Sequence, residues 1–180
     1  MYDTSNYNFT KGDIGEEIGR RFLERKGYIL YAPMKKEAHP FDRIAIKWDM
    51  KPMALDFKTY PSRLYYPDTG INYNHYLKYK EYPHDFYIFF IDEIRKKMYG
   101  NKFSELLKTI TIANNIYPLI QSGKKGKKIY FPLDNMELYA TLSPQTCKKL
   151  EKVSNSKHYV VNKTPKKFNI KWKENKSWIK

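Results

Sequence analysis

Apolar residues recur at helical spacing from Ile14 through Ile18 to Phe22 and Leu23, and Asp13 followed by Glu16 reads as a capping box. The spacing predicts a helix over residues 13–26. Gly27 ends it, and residues 28–31 (YILY) read as a short strand. Residues 32–40, with Pro33 and Pro40, read as loop. A two-residue alternation then runs over 41–48 and places Asp42, Ile44, Ile46 and Trp48 on one face. Residues 49–52 make a turn, and the strand that follows, 53–60, places Ala54, Asp56, Lys58 and Tyr60 on one face. These two strands form an antiparallel hairpin.

Beyond a loop bounded by Pro61, Pro67 and Gly70, the spacing of Tyr73, Tyr76, Leu77 and Lys80 predicts a helix over 71–82. The apolar run 86–91 (FYIFFI) has the length of a strand at the centre of a sheet, with 96–99 as its partner. The order is thus α, β, β, β, α, β, β. A short helix over 102–108, a strand over 128–133 and a helix over 143–153 opened by Pro144 are the expected later elements. Residues 123–128 read as an exposed basic loop, and 154–180 as a poorly periodic tail that carries Trp172 and Trp178. The domain organisation expected is a core over 1–120 and a basic C-terminal extension over 121–180, packed on or trailing the same domain.

Composition supports a folded chain of 180 residues, 41% hydrophobic and 17% aromatic. Charge adds a direction. Lys and Arg number 34 against 19 Asp and Glu, and residues 121–180 carry 15 Lys but only four acids, so +11 of the net +15 lies in the last third. A polyanionic partner fits this, because cations placed along phosphates release condensed counterions. The candidate contacts are Lys124, Lys125, Lys127 and Lys128 in the basic loop, with His75 and Lys78 on the second helix. A single cysteine, Cys147, excludes an intrachain disulfide and a Cys-based zinc cluster. The longest apolar stretch is too short to cross a bilayer and the first residues lack a signal-peptide pattern, so a soluble, cytoplasmic protein with no membrane partner is expected.

The candidate chemistry lies on the hairpin. Asp56 and Lys58 share a strand face about 7 Å apart at the backbone, and the turn at 49–52 returns Asp42 beside Asp56. Two hard carboxylates can hold Mg²⁺ or Mn²⁺ with water positions left open. A lysine beside them can orient or deprotonate a water and stabilise charge on a phosphate. Glu16 can add a third carboxylate, since Gly15 and Gly19 permit close approach of helix to sheet. Glu17 is its rival on the same helix. A D-x-K tripeptide alone carries little weight, because a cofacial Asp–Lys pair is commonly an ion pair; Asp42 and Glu16 supply the rest.

These residues resemble the PD-(D/E)xK nucleases. Residues 15–28 (GEEIGRRFLERKGY) are similar to the opening helix of archaeal Holliday-junction resolvases and related small bacterial nuclease-like proteins, in which a Glu eleven residues before the Gly belongs to the active site. That Glu falls on Glu16. Residues 39–46 (HPFDRIAI) resemble the family's metal-binding Asp and its strand, and 55–59 (LDFKT) its D/E-x-K strand. The resemblance spans about residues 12–91. It implies a restriction-endonuclease-like α/β core, a central mixed β-sheet flanked by helices. It further implies a divalent metal held by Asp42, Asp56 and Glu16, catalysis by these with Lys58, and a homodimer as in resolvases. Phe41 separates Pro40 from Asp42, and Asp56 stands where many relatives have Glu. The expected activity is metal-dependent hydrolysis of nucleic acid, DNA foremost. The competing expectation is a catalytically silent nucleic-acid-binding or assembly protein on the same fold.

Overall fold

The computed structural model describes residues 7–33, 41–63, 65–115, 126–153 and 170–174. Helix α1 (Tyr7–Arg25) starts six residues before the expected position. Asp13 therefore lies inside the helix, and the capping-box reading of Asp13 and Glu16 does not hold. The added turns are tied to the body of the protein by Lys11, whose ammonium lies 2.7 Å from the Glu93 carboxylate. At the other end Gly27 takes φ +83°, and the Tyr28 and Gly27 N–H groups donate to the Leu23 and Glu24 carbonyls. This is a Schellman stop, which a residue with a Cβ enters only under strain.

Strands β1 (Ile29–Tyr31), β2 (Arg43–Ile46) and β3 (Met53–Lys58) follow as an antiparallel meander. The hairpin turn between β2 and β3 includes Asp49 at φ 65°. Residues 68–72, which the sequence suggested as loop and helix start, form β4 (Asp68–Asn72), and α2 (Tyr73–Glu81) begins behind it. Next come β5 (Phe86–Asp92), β6 (Lys97–Lys102), the short α3 (Phe103–Leu106), β7 (Thr111–Asn115) and β8 (Gly126–Pro132). The chain continues through β9 (Glu137–Thr141), α4 (Pro144–Val153) and the two-residue β10 (Lys173–Glu174). Pro144 opens α4, where Ser143 Oγ accepts the Thr146 N–H at 3.2 Å.

The main sheet is mixed, in the order β1-β2-β3-β5-β6-β9-β10, and a smaller sheet has the order β4-β8-β7. β5 lies at the centre, parallel to β3 and antiparallel to β6. Its apolar run serves two cores at once. Phe89 and Ile91 pack with Leu23, Leu55, Phe57, Cys147 and Leu150 under α1 and α4. Phe86, Ile88 and Phe90 pack on the opposite face with Tyr79, Ile129 and Phe131, under α2, α3 and the small sheet. An all-apolar strand is what burial on both faces requires.

Described residues after 121 are built into these layers: β8 lies between β4 and β7, and β9 pairs with β6. Lys127 and Lys128 belong to β8 rather than to an exposed basic loop, whereas Lys124 and Lys125 lie outside the described residues. Trp172 packs half-buried against the core, its ring centre 5.0 Å from that of Tyr99; Trp178 lies outside the described residues. No described helix is long and apolar enough to cross a membrane.

Candidate active site

Alternation along β3 sends Leu55 and Phe57 toward α1, and Asp56 and Lys58 toward α2 and the small sheet. On β2, Arg43 pairs with Leu55, and the Asp42 N–H donates to the Leu55 carbonyl at 2.8 Å. Asp42 is one step before Arg43 and Asp56 one step after Leu55, so the hairpin register sets the two acids opposite each other, as the turn position had suggested. One Asp42 oxygen accepts the Phe57 N–H at 2.7 Å. Burial pushes the Asp42 carboxyl up to about 6, and the charge of Asp56 and a hydrogen bond with it push the same way, against Lys58 and the Phe57 N–H.

Asp56 is 2% exposed. The Lys58 ammonium lies 2.9 Å from its Oδ1 and 2.8 Å from its Oδ2. Burial works against the Lys58 charge, but Asp56 and Asp42 outweigh it and hold the ammonium above its ordinary value. In this arrangement Lys58 is a cation: it can stabilise charge on a phosphate or orient a water, and it is poorly suited to take a proton at neutral pH.

A third partner was not read from the sequence. Tyr79 on α2 donates its hydroxyl to Asp56 Oδ2 at 2.6 Å, and its ring lies 5.9 Å from the Lys58 ammonium. Burial, then Asp56, raises the phenol far above its usual range, so it remains a donor. The available signal was helical spacing: Tyr79 follows Tyr76 by three and His75 by four, and so belongs to the inward face of α2. The nucleic-acid contacts expected on this helix were His75 and Lys78. His75 is turned inward, its ring 6.1 Å from that of Tyr79, and burial, then Lys58 and Lys78, lower its pKa so that it is neutral at pH 7. Lys78 stands exposed. His84 lies against Tyr82, and His39 and His158 fall outside the described residues.

Glu16 is placed differently from expectation. Its carboxylate meets the Arg43 guanidinium at 3.1 Å, and Arg43 also donates to the Asp42 carbonyl at 2.7 Å. The Glu16 carboxylate is thus engaged by Arg43, whereas Asp56 is engaged by Lys58 and Tyr79. Among the described residues no group of three or more His, Cys, Asp or Glu converges as a metal site. Glu17 is engaged by Arg20 at 2.7 Å and Arg21 at 2.5 Å. Those two hydrogen bonds hold it down to about 2. The small residues behave as expected: a Cβ on Gly15 would meet Thr59 Oγ1, and one on Gly19 the Phe57 ring. No family model, curated protein or solved structure matches this chain.

Proposed function

We infer that the chain is a Mg²⁺- or Mn²⁺-dependent nuclease of PD-(D/E)xK type on a restriction-endonuclease-like core, hydrolysing phosphodiester bonds of nucleic acid, with DNA as the foremost substrate. One observation carries the reading. Asp42 and Asp56 stand side by side on adjacent strands with Lys58 against them, in a part of the sheet where burial disfavours two negative charges. Outside catalysis such a pair would be costly, because one ammonium offsets only one of the two carboxylates. Hard oxygen donors short of positive charge fit a divalent cation.

Asp42 and Asp56 would hold the ion, which supplies a Lewis acid for the phosphate and lowers the pKa of a water. The chain's own groups do the rest. Lys58 presents positive charge to a phosphate oxygen as negative charge develops there. Tyr79 fixes the rotamer of Asp56 from one side, and the Phe57 N–H fixes Asp42 from the other. Glu16 acts at one remove, by holding the arginine that grips the Asp42 backbone.

Calorimetric titration of Mn²⁺ at a pH above 6 tests this reading. Wild type is expected to bind, and Asp56→Asn and Asp42→Asn to lose the signal. A wild type that takes up no Mn²⁺ would contradict the metal-dependent reading and favour a catalytically silent nucleic-acid-binding or assembly protein.

A further inference from the structure

Tyr60, Arg63 and Tyr66, beyond the end of β3, form cation–ring contacts with one another and with Lys128 and Tyr130 of β8. The Lys128 ammonium lies 5.6 Å from the centre of the Tyr60 ring. Tyr60 is two residues beyond Lys58, and its phenol feels both Lys58 and Asp56. Two residues along β8 from Lys128, on the same face, the Tyr130 ring lies 3.9 Å from the Arg63 guanidinium carbon, and the Tyr66 ring lies 4.1 Å from that same carbon. The planar guanidinium is thus held between two rings. It is also pinned in its plane, since Asp68 accepts from Nε at 2.6 Å and from a terminal nitrogen at 2.5 Å.

The two ends of this strip differ in character. The Asp68 pair neutralises Arg63, so the outer end offers a rigid aromatic surface rather than charge. Tyr130, the inner ring, is 3% exposed, whereas Tyr66 is 55% exposed. At the inner end Lys128 is half-buried over the Tyr60 ring, and burial pushes its ammonium down, so an anion there would favour the charged form. Lys127, on the other face of β8, lies 5.7 Å from the Tyr73 ring.

The geometry points to a track for an unpaired nucleic-acid strand along β8, with Lys128 taking a backbone phosphate over Tyr60, two residues from Lys58, and Tyr66 stacking on a base. A duplex keeps its base faces inside the stack, so only an unpaired base can use the outer face of Tyr66, and backbone cations with aromatic platforms are how single strands are held. The inference deepens the nuclease reading and depends on it only for the direction of the strand toward Asp56.

Fluorescence anisotropy in EDTA tests the track without cleavage, using a labelled oligonucleotide of mixed sequence as single-stranded DNA, as single-stranded RNA and as a DNA duplex. Wild type is expected to bind one or both single strands about tenfold or more tighter than the duplex. Tyr66→Ala should weaken single-strand binding about tenfold and leave duplex binding and the melting temperature unchanged, while Tyr66→Phe should bind as wild type. Lys128→Gln should reduce the slope of log affinity against log salt by about 0.7 on the single strand, the value for one phosphate contact. A duplex preference, or a Tyr66→Ala variant that binds single strands as wild type does, would overturn the track. Binding in EDTA by a protein that never cuts would leave the track standing and remove the nuclease reading. Cleavage confined to duplex would do the reverse.

Discussion

Asp42 sits where burial and the neighbouring Asp56 raise its pKa to about 6, above the value near 3.9 of an unfolded chain. A carboxyl raised on folding contributes its stability fully below the unfolded pKa and loses it as pH rises through the folded one. In metal-free protein this group therefore favours the fold at about pH 4 and opposes it above pH 6. Asn can still accept the Phe57 N–H and carries no charge. Asp42→Asn is accordingly expected to be more stable than wild type at neutral pH, by at most roughly 3 kcal/mol at about 1.4 kcal/mol per pKa unit, and to show little difference near pH 4. Urea unfolding in EDTA at several pH values reads this. A variant less stable than wild type at neutral pH would mean that the Asp42 charge is well accommodated without a cation. Asp42, Asp56 and Lys58 were legible in the sequence because strand alternation and one turn fix their juxtaposition. Tyr79 and the Arg43–Glu16 link were not, because each depends on how a helix is rotated and seated against the sheet.

The seating of α1 on β3 is set by glycine. A Cβ on Gly19 would fall against the Phe57 ring, which is buried and stacked on Phe89 with centres 5.5 Å apart, so the ring has nowhere to go. Gly12, in the same helix, has nothing within 4 Å of such a Cβ. The two positions should therefore respond with opposite signs. Gly12→Ala is expected to stabilise by about 0.5–1 kcal/mol, the helix-propensity gain. Gly19→Ala should destabilise, because overpacking of about 1–3 kcal/mol exceeds that gain. Thermal melts of the two variants side by side decide it, and a stabilised Gly19→Ala would show that helix and strand are further apart than described. The order from α1 through β6 was readable apart from β4, which has a single large apolar residue, Ile71, and no alternation to betray it. β7, β9 and β10 were missed because their strand character comes from pairing with neighbours distant in sequence.

Over the whole molecule, the positive charge of the last third is not all carried on an appendage. β8 threads between β4 and β7, and so delivers Lys127 and Lys128 to the same side of the main sheet as Asp42, Asp56 and Lys58. The excess of Lys after residue 121 was plain in the sequence, but its placement was not, because it depends on a second sheet that the local pattern does not announce. Carboxylates, lysine and a cationic approach thus converge on one side of one sheet, which is the premise of a nuclease. The most direct test is incubation of the protein with linear, circular, single-stranded and branched DNA, and with RNA, in Mg²⁺, in Mn²⁺ and in EDTA, beside Asp56→Asn and Lys58→Ala. Cleavage is expected in a divalent cation and absent in EDTA, with the rate reduced about a hundredfold or more in either variant. Cleavage by Asp56→Asn at the wild-type rate, or cleavage that persists in EDTA, would contradict the account.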